Sequence, residues 1–236
     1  MESIVIKSSQ EFESIISKID TKVGSRKDKR DQDTKEFFSL VNFLRRKNEN
    51  GALTFPLLIK KRQSPDFELV EGDETYGIEI AELTNELYQA LLSYCDCNPG
   101  YTFEPSMIRY GMTPQNTNWR EFLKKIDEPL EGGCLYGNEP EIYSAQWGRD
   151  EIIKKIPKLV EYKKKFPGKL NILLYDNSPY WFIDYKVFSQ LLKEYSALLL
   201  EENKEIINQV SYLSSDGKVA ILDVRLGEKS LIGIID

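Results

Sequence analysis

A pair of short strands joined by a tight turn is the feature that most restricts how this chain can fold. The first strand is predicted over residues 64–69 and the second over residues 76–82, and Glu71-Gly72-Asp73-Glu74 forms the turn between them. Side chains of a strand alternate between the two faces of a sheet. Glu79 therefore shares one face with Gly77 and Ala81, while Ile78 and Ile80 point the other way.

Two acids occupy special places in this hairpin. Asp66 follows Pro65 at the start of the first strand, and Glu79 lies in the middle of the otherwise apolar second strand. Adjacent strands can bring Asp66 and Glu79 together at one edge of a sheet. An acid embedded in an apolar strand is costly unless a partner or a cation compensates it, and hard divalent cations bind to carboxylates arranged in this way. The alternative is a set of exposed edge acids that protect against aggregation.

The remaining patterns predict an α/β chain with a mixed central sheet flanked by helices. A first helix is expected from a capping box at residues 8–11 to about residue 19. A second is expected from a cap at Asp33 to a helix-ending segment at residues 48–51. Further helices are expected over about residues 85–94, 118–126, 146–165 (kinked at Pro157) and 185–202. Further strands are expected over residues 55–60, 170–176, 210–213, 218–224 and 231–235. Residues 21–32 are polar and are interpreted as a linker.

The chain of 236 residues suits one domain. Its core is expected over about 33–83 and 146–176, with a Gly-, Pro- and Asn-rich insertion over about 95–143 and a strand-rich C-terminal extension over 177–236. No apolar run approaches the ~20 residues that span a bilayer, and the first residues lack a signal-peptide pattern. We therefore expect a cytoplasmic protein without a membrane partner.

The chain contains no histidine. This absence excludes Ser-His-Asp and Cys-His nucleophile systems and the metallohydrolases and nucleases that depend on histidine. Any catalysis must use carboxylates, lysine, tyrosine or a metal held through oxygen. The three cysteines argue against a disulfide framework and are one thiol short of a closed zinc site.

The charge distribution bears on nucleic acid as a partner. A net charge of −6 argues against non-specific binding over the whole surface. Basic residues nonetheless cluster at 22–30, 45–47, 60–62 and 154–165, on both sides of the acidic hairpin. Each cluster alone is typical of a solvated face, but together they suit a phosphate backbone.

The hairpin and the elements after it resemble the PD-(D/E)xK, or restriction-endonuclease-like, nuclease superfamily. The resemblance lies in Pro65-Asp66, in Gly77-Ile78-Glu79-Ile80-Ala81 and in the basic helix 151–158 that leads into the apolar strand 170–175, and it covers about residues 33–176. It implies a restriction-endonuclease-like core and a metal-dependent nuclease that hydrolyses phosphodiester bonds in DNA. Asp66 and Glu79 would bind Mg²⁺ or Mn²⁺.

The lysine that this superfamily places two residues after the Glu is Ala81 here, and Glu82 faces the opposite side of the strand. Some members supply the lysine from the following helix, where Lys155 and Lys158 lie on one face and Gln146 is a further candidate. Glu36 lies where the superfamily sometimes places another acid, although an exposed helix acid is the alternative. If no lysine reaches the site, the chain is a catalytically inactive nuclease-fold protein that binds nucleic acid or protein. A homodimer is left open.

Overall fold

The computed structural model describes residues 3–23, 31–130, 132–180, 182–215, 217, 219–223 and 231–235. The helices are α1 (Ser9–Ile16), α2 (Gln32–Glu49), α3 (Glu86–Cys97), α4 (Glu139–Lys163) and α5 (Tyr185–Glu202). The strands are β1 (Ile4–Ile6), β2 (Leu57–Lys61), β3 (Phe67–Glu71), β4 (Glu74–Leu83), β5 (Tyr101–Thr102), β6 (Lys124–Lys125), β7 (Lys169–Asp176), β8 (Ile207–Leu213), β9 (Val219–Asp223) and β10 (Leu231–Ile235).

The central sheet is mixed, as predicted. Its eight described strands follow the order β1-β2-β3-β4-β7-β8-β9-β10. Strands β1 to β4 pair antiparallel to one another, β7 is parallel to both β4 and β8, and β9 and β10 return to antiparallel pairing. Parallel neighbours need crossover connections, which α4 and α5 supply. The protein is therefore an α/β protein with helices packed on a large mixed sheet.

The two faces of the sheet bury separate apolar clusters. On one face Ala81 and Leu83 of β4 join Ile172 and Leu174 of β7 under α3, α4 and α5. On the other face the alternate residues, among them Ile78 of β4, join side chains of α1 and α2. This alternation means that Glu79 faces α4, whereas Ile80 and Glu82 face α2.

Helix α2 is formed by local signals that the sequence carries. The Asp31 side chain accepts a hydrogen bond from the Thr34 backbone N–H at 2.9 Å and caps the first turn, so the cap lies two residues before the predicted cap at Asp33. A stripe at helical spacing is buried against the sheet: Phe37, Leu40, Val41 and Leu44. Arg46 and Lys47 in the last turn complement the helix dipole.

Several element predictions were wrong in position or kind. Helix α4 begins at Glu139 and continues through Pro157, so its first turns lie inside the expected insertion. The predicted helix over 118–126 is a 3₁₀ turn at Trp119–Phe122 followed by β6, because Lys125 pairs with Tyr101. Strand β1 was not predicted, and α1 ends at Ile16.

Some predictions fall partly on undescribed residues. Residues 24–30 of the predicted linker and basic cluster, and residues 218 and 224 of a predicted strand, lie outside the described residues. In the part of the chain that the structure describes, none of the helices is both long and apolar enough to cross a membrane. The three cysteines are free thiols.

Candidate active site

Asp66 and Glu79 lie side by side on the α4 face of the sheet. The last pair of the β3–β4 ladder is Phe67 with Ile78, and one further step places Asp66 opposite Glu79. Directly opposed residues of antiparallel strands point to the same face. The Asp66 carboxylate also accepts a hydrogen bond from the Ile80 backbone N–H at 2.8 Å, which fixes it against β4.

Gly77 makes room for the turn that carries Asp66. A Cβ atom at Gly77 would overlap the ring of Pro65 and would lie 2.9 Å from Leu170 Cδ2. The absence of a side chain therefore allows Pro65 to pack directly on β4. The glycine and the proline therefore position the aspartate.

Glu79 is buried and only half satisfied. Its side chain is 2% exposed, and its Oε1 atom accepts a hydrogen bond from Lys155 Nζ at 2.7 Å. Its Oε2 atom is buried without a hydrogen-bond partner. A buried charged oxygen without a partner carries a desolvation cost, so this atom is suited to a ligand that supplies positive charge.

The raised pKa of Asp66 also indicates a site suited to a positively charged ligand. Burial, followed by the neighbouring Glu79 charge, raises the pKa of Asp66 from 3.8 to about 6, against the opposing hydrogen bond from Ile80. Two carboxylates that share a site resist ionising together. A divalent cation between them would remove that repulsion and would hold both ionised.

These donors fit a magnesium-type ion in number and chemistry. Mg²⁺ keeps several waters and is commonly held by one or two carboxylates, and Asp66 and Glu79 supply two. No group of three or more acidic or thiol side chains suited to a metal occurs among the described residues. Backbone carbonyls and waters would have to complete the coordination shell.

Of the three predicted partners on α4, the structure brings one to the carboxylates. Lys155 Nζ contacts Glu79, and its side chain is 16% exposed. Lys158 is exposed to solvent. Gln146 lies half a turn round the helix from Lys155 and lines a different cleft with Tyr110, Arg149 and Tyr195.

Glu36 and Lys61 form a buried ion pair on the α2 face. Glu36 is 7% exposed and binds Lys61 Nζ directly, so its interpretation as an exposed helix acid is wrong. Burial opposes the charge of Lys61, but the hydrogen bond and charge of Glu36 raise its pKa. Glu36 precedes Leu40 by one helical turn, so its place on the buried stripe was visible in the sequence.

Tyr162 is a site residue that the sequence reasoning missed. It lies two turns after Lys155 on the same face of α4. Burial, and then the charge of Glu79, raise the pKa of Tyr162, while the nearby Ser64 opposes this rise. The Tyr162 hydroxyl therefore lies close to the turn that carries Asp66.

The basic clusters are partly neutralised by ion pairs. Lys60 and Arg62 both bind Glu68, and Lys47 binds Glu71 at 2.8 Å. On α4, Lys154 and Lys164 are also paired, with Glu151 and Glu161, but their side chains are 60% and 61% exposed. Exposed lysines therefore occur on the helix that carries Lys155.

Comparison of this chain with protein-family models, with curated protein sequences and with solved structures finds no match.

Proposed function

We propose that this protein is a metal-dependent nuclease that hydrolyses phosphodiester bonds in DNA, with Asp66 and Glu79 holding Mg²⁺ or Mn²⁺. The observation that carries the proposal is the hydrogen bonding of the buried Glu79 carboxylate. One of its oxygens binds Lys155, and the other is buried without a partner. Two carboxylates that bind a metal and one ammonium group provide the side chains for phosphodiester hydrolysis without histidine.

The metal, when bound, neutralises charge on the phosphoryl oxygen and lowers the pKa of a water. Asp66 and Glu79 supply negative ligands, and Asp66 must be ionised to do so. Lys155, which donates a hydrogen bond to Glu79, would favour hydroxide near the carboxylates and would stabilise developing negative charge. Its hydrogen bond also orients the Glu79 carboxylate.

The position of Lys155 supports an active site despite Ala81. Ala81 is 2% exposed on the same face of β4 as Glu79, and α4 crosses that face. An ammonium group therefore reaches the carboxylate from the helix instead of from the strand. This arrangement favours hydrolysis over the alternative of a nuclease fold that only binds.

DNA as the substrate is supported by the surface of α4. Lys154 and Lys164 have side chains that are 60% and 61% exposed, and Lys158 is exposed between them. Exposed lysines attract phosphates, and the binding weakens as salt rises. Their i,i+3 ion pairs with Glu151 and Glu161 are surface contacts that contribute little.

The test is a cleavage assay with plasmid and single-stranded DNA, with Mg²⁺, with Mn²⁺ or with chelator. We expect metal-dependent cutting that Asp66→Ala and Glu79→Ala abolish. Lys155→Ala should abolish or strongly reduce cutting, whereas Lys186→Ala, the same change at an exposed lysine of α5, should leave it nearly intact.

Absence of cutting, or cutting that survives both carboxylate changes, would refute the catalytic assignment. Tight, salt-sensitive DNA binding without cutting would instead identify an inactive nuclease fold that acts as a binding module.

A further inference from the structure

We infer that a cleft on the α2 face, here named the base cleft, binds a single nucleobase of the substrate strand next to the point of cleavage. Its lining includes Lys35, Phe38, Ile80, Glu82, Tyr175 and Asn177, and its volume is about 280 Å³. This inference rests on the proposed function, because it names the part of the nucleic acid that the site would read.

The base cleft opens at an unpaired edge of β4. The pairing of β4 with β3 ends at Ile78, while its pairing with β7 continues to Leu83. Ile80 contributes to the cleft lining, and its backbone N–H binds Asp66. The cleft on the α2 face and the carboxylate pair on the α4 face therefore meet at Ile80, and a nucleotide chain that passes this edge of the sheet would place adjoining parts at both.

Glu82 offers an acceptor to a ligand in the base cleft. Its Oε1 atom accepts a hydrogen bond from Asn177. Its Oε2 atom lies 3.6 Å from Lys35 Nζ, which is too long for a hydrogen bond. The Glu82 side chain is 35% exposed, so a ligand can reach this oxygen.

The walls of the base cleft suit a flat ring. Phe38 and Tyr175 meet edge to face, with ring centroids 5.7 Å apart and planes at 82°, and Ile80 adds an apolar surface. Every base presents a π-face to aromatic rings. The volume of about 280 Å³ is just below the range of sites for drug-sized ligands, which favours one ring system.

Charge in the base cleft favours a neutral ligand over a phosphate. Lys35 faces Glu82, and Glu36, which also lines the cleft, is paired with Lys61. The positive charges are therefore matched by carboxylates, and a phosphate would meet both carboxylates. A nucleobase combines a neutral ring with polar edges and fits this balance.

The Oε2 atom of Glu82, which has an ion pair with Lys35 but no hydrogen bond, predicts which bases bind. Carboxylates accept hydrogen bonds from the amino group of cytosine, whereas thymine has no amino group. The base cleft should therefore prefer amino-bearing bases, and oligo(dC) against oligo(dT) is the cleanest comparison because both are single-ring pyrimidines.

The test is fluorescence anisotropy of labelled single-stranded oligo(dC) and oligo(dT) with the full chain in chelator, where no cutting occurs. We expect the wild type to bind oligo(dC) about tenfold more tightly, as one charge-assisted hydrogen bond would give. Glu82→Gln should bring the ratio close to one, because an amide can serve either base. Asp73→Asn removes the same charge at an exposed turn residue and should keep the preference, and circular dichroism would verify that both variants are folded.

The proposal that the base cleft binds a nucleobase would be refuted by equal binding of oligo(dC) and oligo(dT), by absence of binding, or by a preference for oligo(dC) that survives Glu82→Gln. The cleavage assay separates the two proposals. Metal-dependent cutting without base preference refutes only the base cleft, whereas base preference that depends on Glu82 without any cutting refutes only the nuclease.

Discussion

Removing the charge of Asp66 should stabilise the protein at neutral and alkaline pH in the absence of metal. The carboxylate is half-buried, and burial and the nearby Glu79 charge raise its pKa to about 6. Asp66→Asn keeps an oxygen that can accept the Ile80 hydrogen bond but cannot ionise. The variant therefore avoids the cost of forcing two adjacent carboxylates to be charged.

The magnitude follows from proton linkage. The pKa of Asp66 is about 6 in the folded protein against a model value of 3.8, so the folded state binds the proton more tightly. The corresponding stabilisation is fully present below pH 3.8 and is lost as pH rises through about 6. Each pKa unit corresponds to about 1.36 kcal/mol, so the ionised group costs about 3 kcal/mol above that range.

Urea unfolding in chelator at about pH 4 and at about pH 8, on either side of this range, provides the assay. Asp66→Asn should match the wild type at the lower pH and should exceed its free energy of unfolding by up to about 3 kcal/mol at the higher pH. Asp73→Asn serves as the control for charge removal at an exposed position. Added Mg²⁺ should then stabilise the wild type and not the variant, by about 2.7 kcal/mol at a concentration of 100 times Kd.

A difference between Asp66→Asn and the wild type that does not grow with pH would refute the electrostatic reasoning. A variant that is less stable than the wild type at the higher pH would refute it as well.

Three further predictions concern the residues around the carboxylates. Lys155→Met should lower the free energy of unfolding by about 3–5 kcal/mol, because it leaves a buried carboxylate unpaired. Lys158→Met should change this free energy by less than about 0.5 kcal/mol. If the two variants lose equal stability in urea unfolding, the burial argument is wrong. Glu36→Gln and Lys61→Met should each lower the free energy of unfolding strongly, because each leaves one member of a buried ion pair without its partner. The double variant should regain most of this lost stability. If the two losses simply add in a double-mutant cycle, the pairing argument is wrong. Gly77→Ala should cost about 1–3 kcal/mol and should abolish cleavage while the chain is still folded by circular dichroism; full activity would show that the close packing at this glycine is dispensable.

The parts of the fold that were predicted correctly are those with strong local patterns. The apolar run at residues 170–176 and the amphipathic repeat at 185–202 correspond to β7 and α5. Strand β1 was missed because three residues carry too little pattern, and its pairing with β2 is a tertiary effect. The predicted helix over 118–126 failed for a similar reason, since pairing of β6 with β5 overrides helix propensity.

The candidate site was predictable only in part. The alternation of side chains along two adjacent strands was enough to predict that Asp66 and Glu79 can come together at one edge of the sheet. The choice between Lys155 and Lys158 depends on how α4 is rotated relative to the sheet, which sequence periodicity does not determine. Lys61 was hidden in a basic cluster, because its neighbour Lys60 points to the other face of the sheet and binds Glu68.

The register of β4 with β7 has a consequence for the order of folding. Tyr76 pairs with Lys169, so the centre of the sheet closes a loop that contains α3, β5, β6 and α4. Local contacts form faster than distant ones, and the antiparallel strands β2 to β4 pair over short stretches of chain. We therefore expect the two carboxylates to come together early, while Lys155 arrives only when the later half of the chain docks. An emerging chain would carry an uncompensated acidic pair, and divalent cations in the surrounding solution would speed the closing of the sheet.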